Sequence, residues 1–182
     1  MIFDDEGQLC LVSGWGELLL WDAGKNRSIG HFQIPATKVA AGHGRVFAGR
    51  PKSVVVWELG NVDRYGSGKV NKKATLRTGA HVDLALVGSR LFVARDDDIG
   101  MWDASTLKKA GSFAAPSGLR GFRAATTQGV AWSETEVWVV SLEDGTKVAR
   151  LEVRNPTSAV LTSGWVFIAS GNEVRRFGEL GG

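Results

Sequence analysis

Three stretches decide the fold: Leu18-Leu19-Leu20-Trp21-Asp22, Val54-Val55-Val56-Trp57-Glu58 and Ile99-Gly100-Met101-Trp102-Asp103. Each is a short apolar run that ends on an indole and is followed at once by an acid. Two weaker copies extend the series, Val137-Trp138-Val139-Val140-Ser141 and Val174-Arg175-Arg176-Phe177-Gly178. The anchors of the five copies are Trp21, Trp57, Trp102, Val140 and Phe177, spaced 36, 45, 38 and 37 residues apart. Self-similarity at a period of about 20–50 residues marks a repeat architecture. In the fourth copy Trp138 is the tempting anchor. However, Ser141-Leu142-Glu143-Asp144-Gly145 follows Val140 as Asp103-Ala104-Ser105-Thr106 follows Trp102. Val140 is therefore read as the anchor, with Trp138 expected on the other face of its strand.

Working outward, a turn and a short apolar strand precede each anchor: Gly7–Leu11, Gly44–Ala48, Ser89–Val93, Gln128–Trp132 and Gly164–Ile168. Before each of these lies another apolar piece: Ile2-Phe3, Val39–Ala41, Leu84–Val87, Phe122–Ala125 and Ala159–Leu161. After the first four anchors a turn leads to a further strand, at Ser28–Ile34, Lys73–Leu76, Lys108–Phe113 and Lys147–Val153. Each complete unit thus reads as four short strands, a to d, joined by tight turns. No segment carries a helical period over about 10–12 residues. Units of about 40 residues with four strands are the signature of propeller blades.

Composition agrees. Of 182 residues 24 are glycine and 7 tryptophan, against 4 prolines and a single tyrosine. Hydrophobic residues make up 43%, enough for a core, which excludes a disordered tail. The lone Cys10 excludes an internal disulfide framework and a cysteine-only zinc site. No apolar run reaches the length of a membrane helix, and Asp4, Asp5 and Glu6 do not suit a signal peptide. An intracellular, cytoplasmic location is expected, with no membrane insertion.

The repeat resembles the WD-repeat β-propeller family. The resemblance is carried by Leu18–Asp22, Val54–Glu58 and Ile99–Asp103, with weaker copies at Val137–Ser141 and Val174–Gly178. It implies an all-β propeller of about five four-stranded blades. In that family a His, a Ser or Thr and an Asp commonly form a polar network with the anchor Trp. Six residues before the anchors this chain has Trp15, Pro51, Asp96, Glu134 and Gly171, so only the third unit keeps the Asp. A Gly-His element is visible only weakly, at Gly79-Ala80-His81.

The units are 1–35, 36–78, 79–116, 117–154 and 155–182, read as one domain. The fifth lacks its outer strand d. Two arrangements follow: a closed five-blade ring with a naked outer edge, or an open arc of a larger propeller, seven blades being typical of the family. An open arc exposes apolar blade faces larger than a soluble monomer usually tolerates. An unpaired edge templates pairing with another chain. The chain is therefore expected to need a partner segment, or to belong to a longer chain, and Glu173, Val174, Arg175, Arg176 and Phe177 are its candidate pairing edge.

A search for chemistry finds no convergent acid, base and nucleophile, and no enzyme activity is expected. His31, His43 and His81 fall in different units without ligand spacing, so neither a metal nor a cofactor is expected. Arg95-Asp96-Asp97-Asp98 is the densest acidic spot, but Asp is a routine turn former. Tyr65-Gly66-Ser67-Gly68-Lys69 lacks the phosphate-loop pattern. It lies in an insertion, Gly60 to Lys73, that carries Arg64, Lys69, Lys72 and Lys73, with Arg77 beyond; this 60–77 stretch is the candidate for RNA contact.

What remains is the rim. In propellers the b–c and d–a loops gather on one face, and loops on a rigid scaffold commonly carry function. Candidate partner-binding residues there are Trp15, Arg50, Lys52, Arg77, His81, Arg95, Asp96, Asp97, Arg120 and Glu134. The expectation is a non-catalytic protein–protein interaction scaffold bound to other subunits of an assembly. The alternatives are a five-bladed lectin-like binder of carbohydrate or small ligands and an RNA-binding subunit.

Overall fold

The computed structural model describes residues 2–3, 8–12, 17–22, 26–33, 36–59, 70–162 and 164–178. Among them every regular element is a strand, 19 in all. The chain divides into two compact units, Met1–Ala80 and His81–Gly182. The first holds two four-stranded meanders. One is β1 (Ile2–Phe3), β2 (Gln8–Val12), β3 (Glu17–Asp22) and β4 (Arg27–Gln33). The other is β5 (Lys38–Gly42), β6 (Arg45–Arg50), β7 (Ser53–Leu59) and β8 (Val70–Arg77).

The second unit holds three sheets. The first is β9 (Asp83–Val87), β10 (Arg90–Ala94), β11 (Asp98–Asp103) and β12 (Lys109–Ala114). The second is β13 (Gly121–Ala124), β14 (Gln128–Trp132), β15 (Glu136–Ser141) and β16 (Lys147–Glu152). The third has three strands only, β17 (Pro156–Thr162), β18 (Trp165–Ser170) and β19 (Glu173–Phe177). All pairings are antiparallel between sequence neighbours, and the fold is that of a β-propeller. Neighbouring sheets in this unit meet at their first strands, β9 with β13 and β13 with β17, and β17 also lies against β14.

The inner strands of the middle blade of this unit are apolar on both faces because that blade is covered on both sides. Between the first two blades of the second unit lies a cluster of Phe92, Ile99, Phe122, Ala131, Val140 and Leu142. The Phe92 and Phe122 rings meet at 6.0 Å and 52°. Between its second and third blades lies another, with Val130, Trp132, Val137, Val139, Val166 and Ile168. Residues 130–132 alternate between the two clusters, as a period of two requires. A strand sandwiched in this way reads as a continuous apolar run.

One irregularity recurs in each four-stranded blade. The c–d register shifts at Leu20/Trp21, Val56/Trp57, Met101/Trp102 and Val139/Val140. A bulge adds one residue to one strand and sharpens its twist. The anchor is the residue just past the shift, and Val140 holds that position in its blade.

The expectation that Trp138 turns to the other face is wrong. Trp138 packs against the same cluster as Val140, while Val137 and Val139 face the opposite one. Residues two apart on a strand share a face. Register shows why an indole fits there. Trp102 pairs with Lys109, and Val140 pairs with Lys147, which places Trp138 where the preceding blade has Gly100. A Cβ on Gly100 would overlap the Trp102 ring, so that ring occupies the space above Gly100. The fourth repeat exchanges the two: the large ring moves back two positions and a small Val takes the anchor. Both rings keep the same kind of neighbour, Lys109 Nζ 5.8 Å from the Trp102 ring and Lys147 Nζ 4.1 Å from the Trp138 ring.

The turn after the anchor also repeats. Asp103 N–H donates to the Lys108 carbonyl at 2.9 Å, and Ser141 N–H to that of Thr146 at 2.8 Å. Inside the first turn the Asp103 carboxylate accepts from Ser105 N–H (3.0 Å) and Thr106 N–H (2.6 Å), and from both hydroxyls. Whereas Glu58 in the corresponding place after Trp57 lies within β7, Asp103, the acid after its anchor, is thus a turn former. In the next blade Ser141 stands in its place and Asp144 accepts from Thr146 N–H at 3.0 Å and Oγ1 at 2.6 Å. Gly145 there has φ 76°, and a Cβ would collide with Phe113, so both backbone and space require glycine.

Candidate interaction face

The b–c and d–a loops of the second unit are tied to one another by backbone. In the first of its blades the carbonyls of Asp96 and Asp97 accept from Leu119 N–H (2.9 Å) and Ala115 N–H (3.0 Å). In the next, the carbonyls of Glu134 and Thr135 accept from Asn155 N–H (2.7 Å) and Val153 N–H (3.1 Å). The residue six before the anchor therefore works through its carbonyl in both blades. The carboxylates of Asp96, Asp97 and Glu134 are left on the exposed rim. Arg95 is spent differently: its guanidinium forms a two-point pair with Asp98, closing its own b–c turn.

Two of the candidates are brought together. Arg120, from a d–a loop, pairs with Glu134, from a b–c loop, at 3.2 Å, and both remain about half exposed. His81 precedes β9 at partial exposure. In the first unit, Arg50 and Ser53 face each other across the Pro51-Lys52 turn, and Lys52 is exposed. Arg77 ends β8 opposite Ser53 and is exposed. Trp15 lies outside the described residues, as does the 60–69 part of the basic stretch. Lys72, read as part of the insertion, belongs instead to the strand expected to begin at Lys73. Both are strand residues of β8, and Lys73 pairs with Glu58 at 3.1 Å. Glu58 is also within 3.3 Å of Arg45, and its carboxyl is lowered from its ordinary value, first by the Lys73 hydrogen bond.

The candidate edge, β19, is bonded to β18 and, among the described residues, to no other strand. Val174 on it is 71% exposed. Arg175 pairs with Glu173 at 2.8 Å, and the Arg176 guanidinium sits 4.3 Å from the Trp165 ring.

One arrangement was missed from the sequence. Asp83, 3% exposed, begins β9. Its carboxylate accepts from Phe122 N–H at 3.3 Å and from the Arg123 guanidinium, both on β13 of the next blade. Arg123 also donates to the Phe122 carbonyl at 2.9 Å and lies 5.7 Å from the Trp132 ring. The available signal was an acid at the head of an apolar strand, Val82-Asp83-Leu84-Ala85-Leu86. Among the described residues no helix is long and apolar enough to cross a membrane.

No protein-family model matches the chain, and no curated protein matches it. Solved structures do. The chain is similar to one described as Kuenenia stuttgartiensis hydrazine synthase, with a TM-score of 0.71 at 15% identity, over 92% of this chain and 53% of that one. It is also similar to a chain in a crystal structure of the mitotic checkpoint complex, with a TM-score of 0.67 at 13% identity, over 93% of this chain and 58% of the other. The chain spans little more than half the length of either. At these identities the likeness is one of fold.

Proposed function

We propose that the chain is a divergent WD-repeat-type propeller that acts as a non-catalytic scaffold for protein–protein interaction. It binds other subunits through the b–c and d–a loops and through the β19 edge. The anchor-and-acid repeat, with the register shift just before each anchor, supports the family reading. One observation carries the binding reading. The rim loops are locked to each other by main-chain bonds, which leaves Asp96, Asp97, Arg120 and Glu134 to present charge from a rigid frame. Such a frame loses little entropy on binding, and rim charges set partner choice and association rate. One of the similar solved structures is of the mitotic checkpoint complex, a multi-protein assembly.

Site-specific photo-crosslinking tests this in cells that make the protein. A photoreactive residue at exposed Ser117, in a d–a loop, is expected to give a discrete protein adduct, and one at Thr146, in a c–d turn, is not. Asp96→Lys with Glu134→Lys should abolish the adduct while leaving the melting temperature within a few degrees. Those side chains support no main-chain bond, and an exposed ion pair contributes only about 0–1 kcal/mol. An adduct to RNA, saturable binding of glycans by the rim, or a protein adduct indifferent to the double reversal would each overturn the reading.

A further inference from the structure

At the opposite end of the same sheets the second unit holds a cavity of about 490 Å³. Its walls are the a–b turns of the first two blades and the c–d turn of the second. None of the sequence candidates lines it. Volumes of about 300–1,000 Å³ suit small ligands. The wall is built of hydrogen-bonded turns: Leu142 N–H donates to the Thr127 carbonyl at 2.9 Å, and the Leu142 carbonyl accepts from Arg90 Nη1 at 2.9 Å.

The charges here are unusual. Arg90 stands opposite Asp103 in the b–c register, but that carboxylate is filled by Ser105 and Thr106. Arg90 is held by a carbonyl, which orients the guanidinium without neutralising it. Glu143 lines the same cavity. Among the described residues no ion pair joins Glu143 to Arg90, so one cation and one anion share the space unbridged. Val87, Phe92 and Leu142 supply an apolar wall beside them.

We infer that this cavity binds a small zwitterion with an apolar side chain, a free amino acid or a short peptide. The ligand's carboxylate meets Arg90, its ammonium meets Glu143, and its side chain lies against Val87 and Phe92. A polyanion such as phosphate would share the cavity with the like charge of Glu143. A simple carboxylate would leave Glu143 unmatched. Arginine suits the carboxylate because its planar fork can donate twice. This site is independent of the rim and of the scaffold reading.

Calorimetric titration of the full chain decides it. Leucine and alanyl-leucine are the probes, with acetate, leucinamide and inorganic phosphate as single-charge or polyanion controls. Saturable heat is expected for at least one zwitterion, with the controls weaker by about ten-fold or more. The ratio of leucine to alanyl-leucine affinity separates an amino-acid site from a peptide site. Arg90→Gln and Glu143→Gln should each weaken the zwitterion by about ten-fold. Glu143 is exposed in a turn, so its variant stays informative if loss of the Arg90 bond to Leu142 disturbs folding. No saturable zwitterion binding, tightest binding by phosphate or acetate, or unchanged affinity in Glu143→Gln would overturn the assignment.

Discussion

At the scale of single residues, the acid that follows an anchor is defined by what fills its carboxylate. Ser105 and Thr106 donate to Asp103, and Thr146 donates to Asp144. These bonds hold Asp103 well below the ordinary carboxylate range and bring Asp144 down from 3.8 to about 2, the Ser105 and Thr146 hydroxyls being the largest causes. A carboxyl with a lowered folded-state pKa stabilises the fold above its unfolded value and loses that contribution as pH falls through the folded value. For Asp144 the loss therefore runs from near 3.8 down to about 2. Calorimetry of Asp144→Asn should show a lower melting temperature than wild type at neutral pH and a gap that closes by about pH 2. A gap constant across that window would show that the ionised carboxylate is not what the turn uses. The turn itself was legible, because Asp, Ser, Thr and Gly punctuate strands. The role of Asp96 was not. Its carbonyl, which every residue has, makes the bond to Leu119, and a main-chain role leaves no trace in residue type.

At the scale of strands, the exchange between Gly100/Trp102 and Trp138/Val140 is a packing statement that can be tested as a pair. Trp138→Gly removes a partly buried indole from the edge of the cluster that holds Phe92 and Phe122, and is expected to cost up to about 3 kcal/mol. Val140→Trp alone overpacks the same cluster, by about 1–3 kcal/mol. The double variant recreates the Gly-x-Trp order of β11 and should be more stable than the sum of the singles, by about 0.5–3 kcal/mol in a urea-denaturation cycle. Strict additivity would mean that the two side chains do not share one space. A second link joins neighbouring strands. Asp83→Leu leaves the Phe122 N–H and the Arg123 guanidinium without their shared acceptor; Arg123→Gln takes a cationic donor away from a buried carboxylate. Because Arg123 is half exposed, its loss is expected to cost about 1–2 kcal/mol, measured by chemical denaturation. The strands themselves were readable from apolar runs and turn residues, and β10, β15 and β18 begin within two residues of their expected places. The pairing of Asp83 with Arg123, and of Arg120 with Glu134, was not. Hydrophobic pattern is local, whereas these partners sit on different strands and meet only once register and inter-blade packing are set.

At the scale of the molecule, the exposed edge of β19 is the strand proposed to govern association. Its sequence, Glu173-Val174-Arg175-Arg176-Phe177, carries two arginines and a glutamate around a Val that is 71% exposed. An open edge offers unpaired main-chain groups to any other strand, and charged side chains on it discourage that pairing. If β19 of one copy met β19 of another in the antiparallel register centred on its two arginines, Arg175 would face Arg176 of the other copy, and like charges facing across a strand pair are destabilising. The arginines thus bias the edge away from a second copy and toward a strand with acidic side chains. Sedimentation velocity over a range of concentrations measures this. Arg175→Thr with Arg176→Thr removes both repulsive charges and raises β propensity, so its association should begin at lower concentration than that of wild type. Val174→Lys adds charge at the most exposed apolar position and should push association to higher concentration. The expected order is the double threonine variant, then wild type, then Val174→Lys. Three coincident concentration profiles would show that this edge takes no part in assembly, leaving the rim loops as the remaining proposed surface.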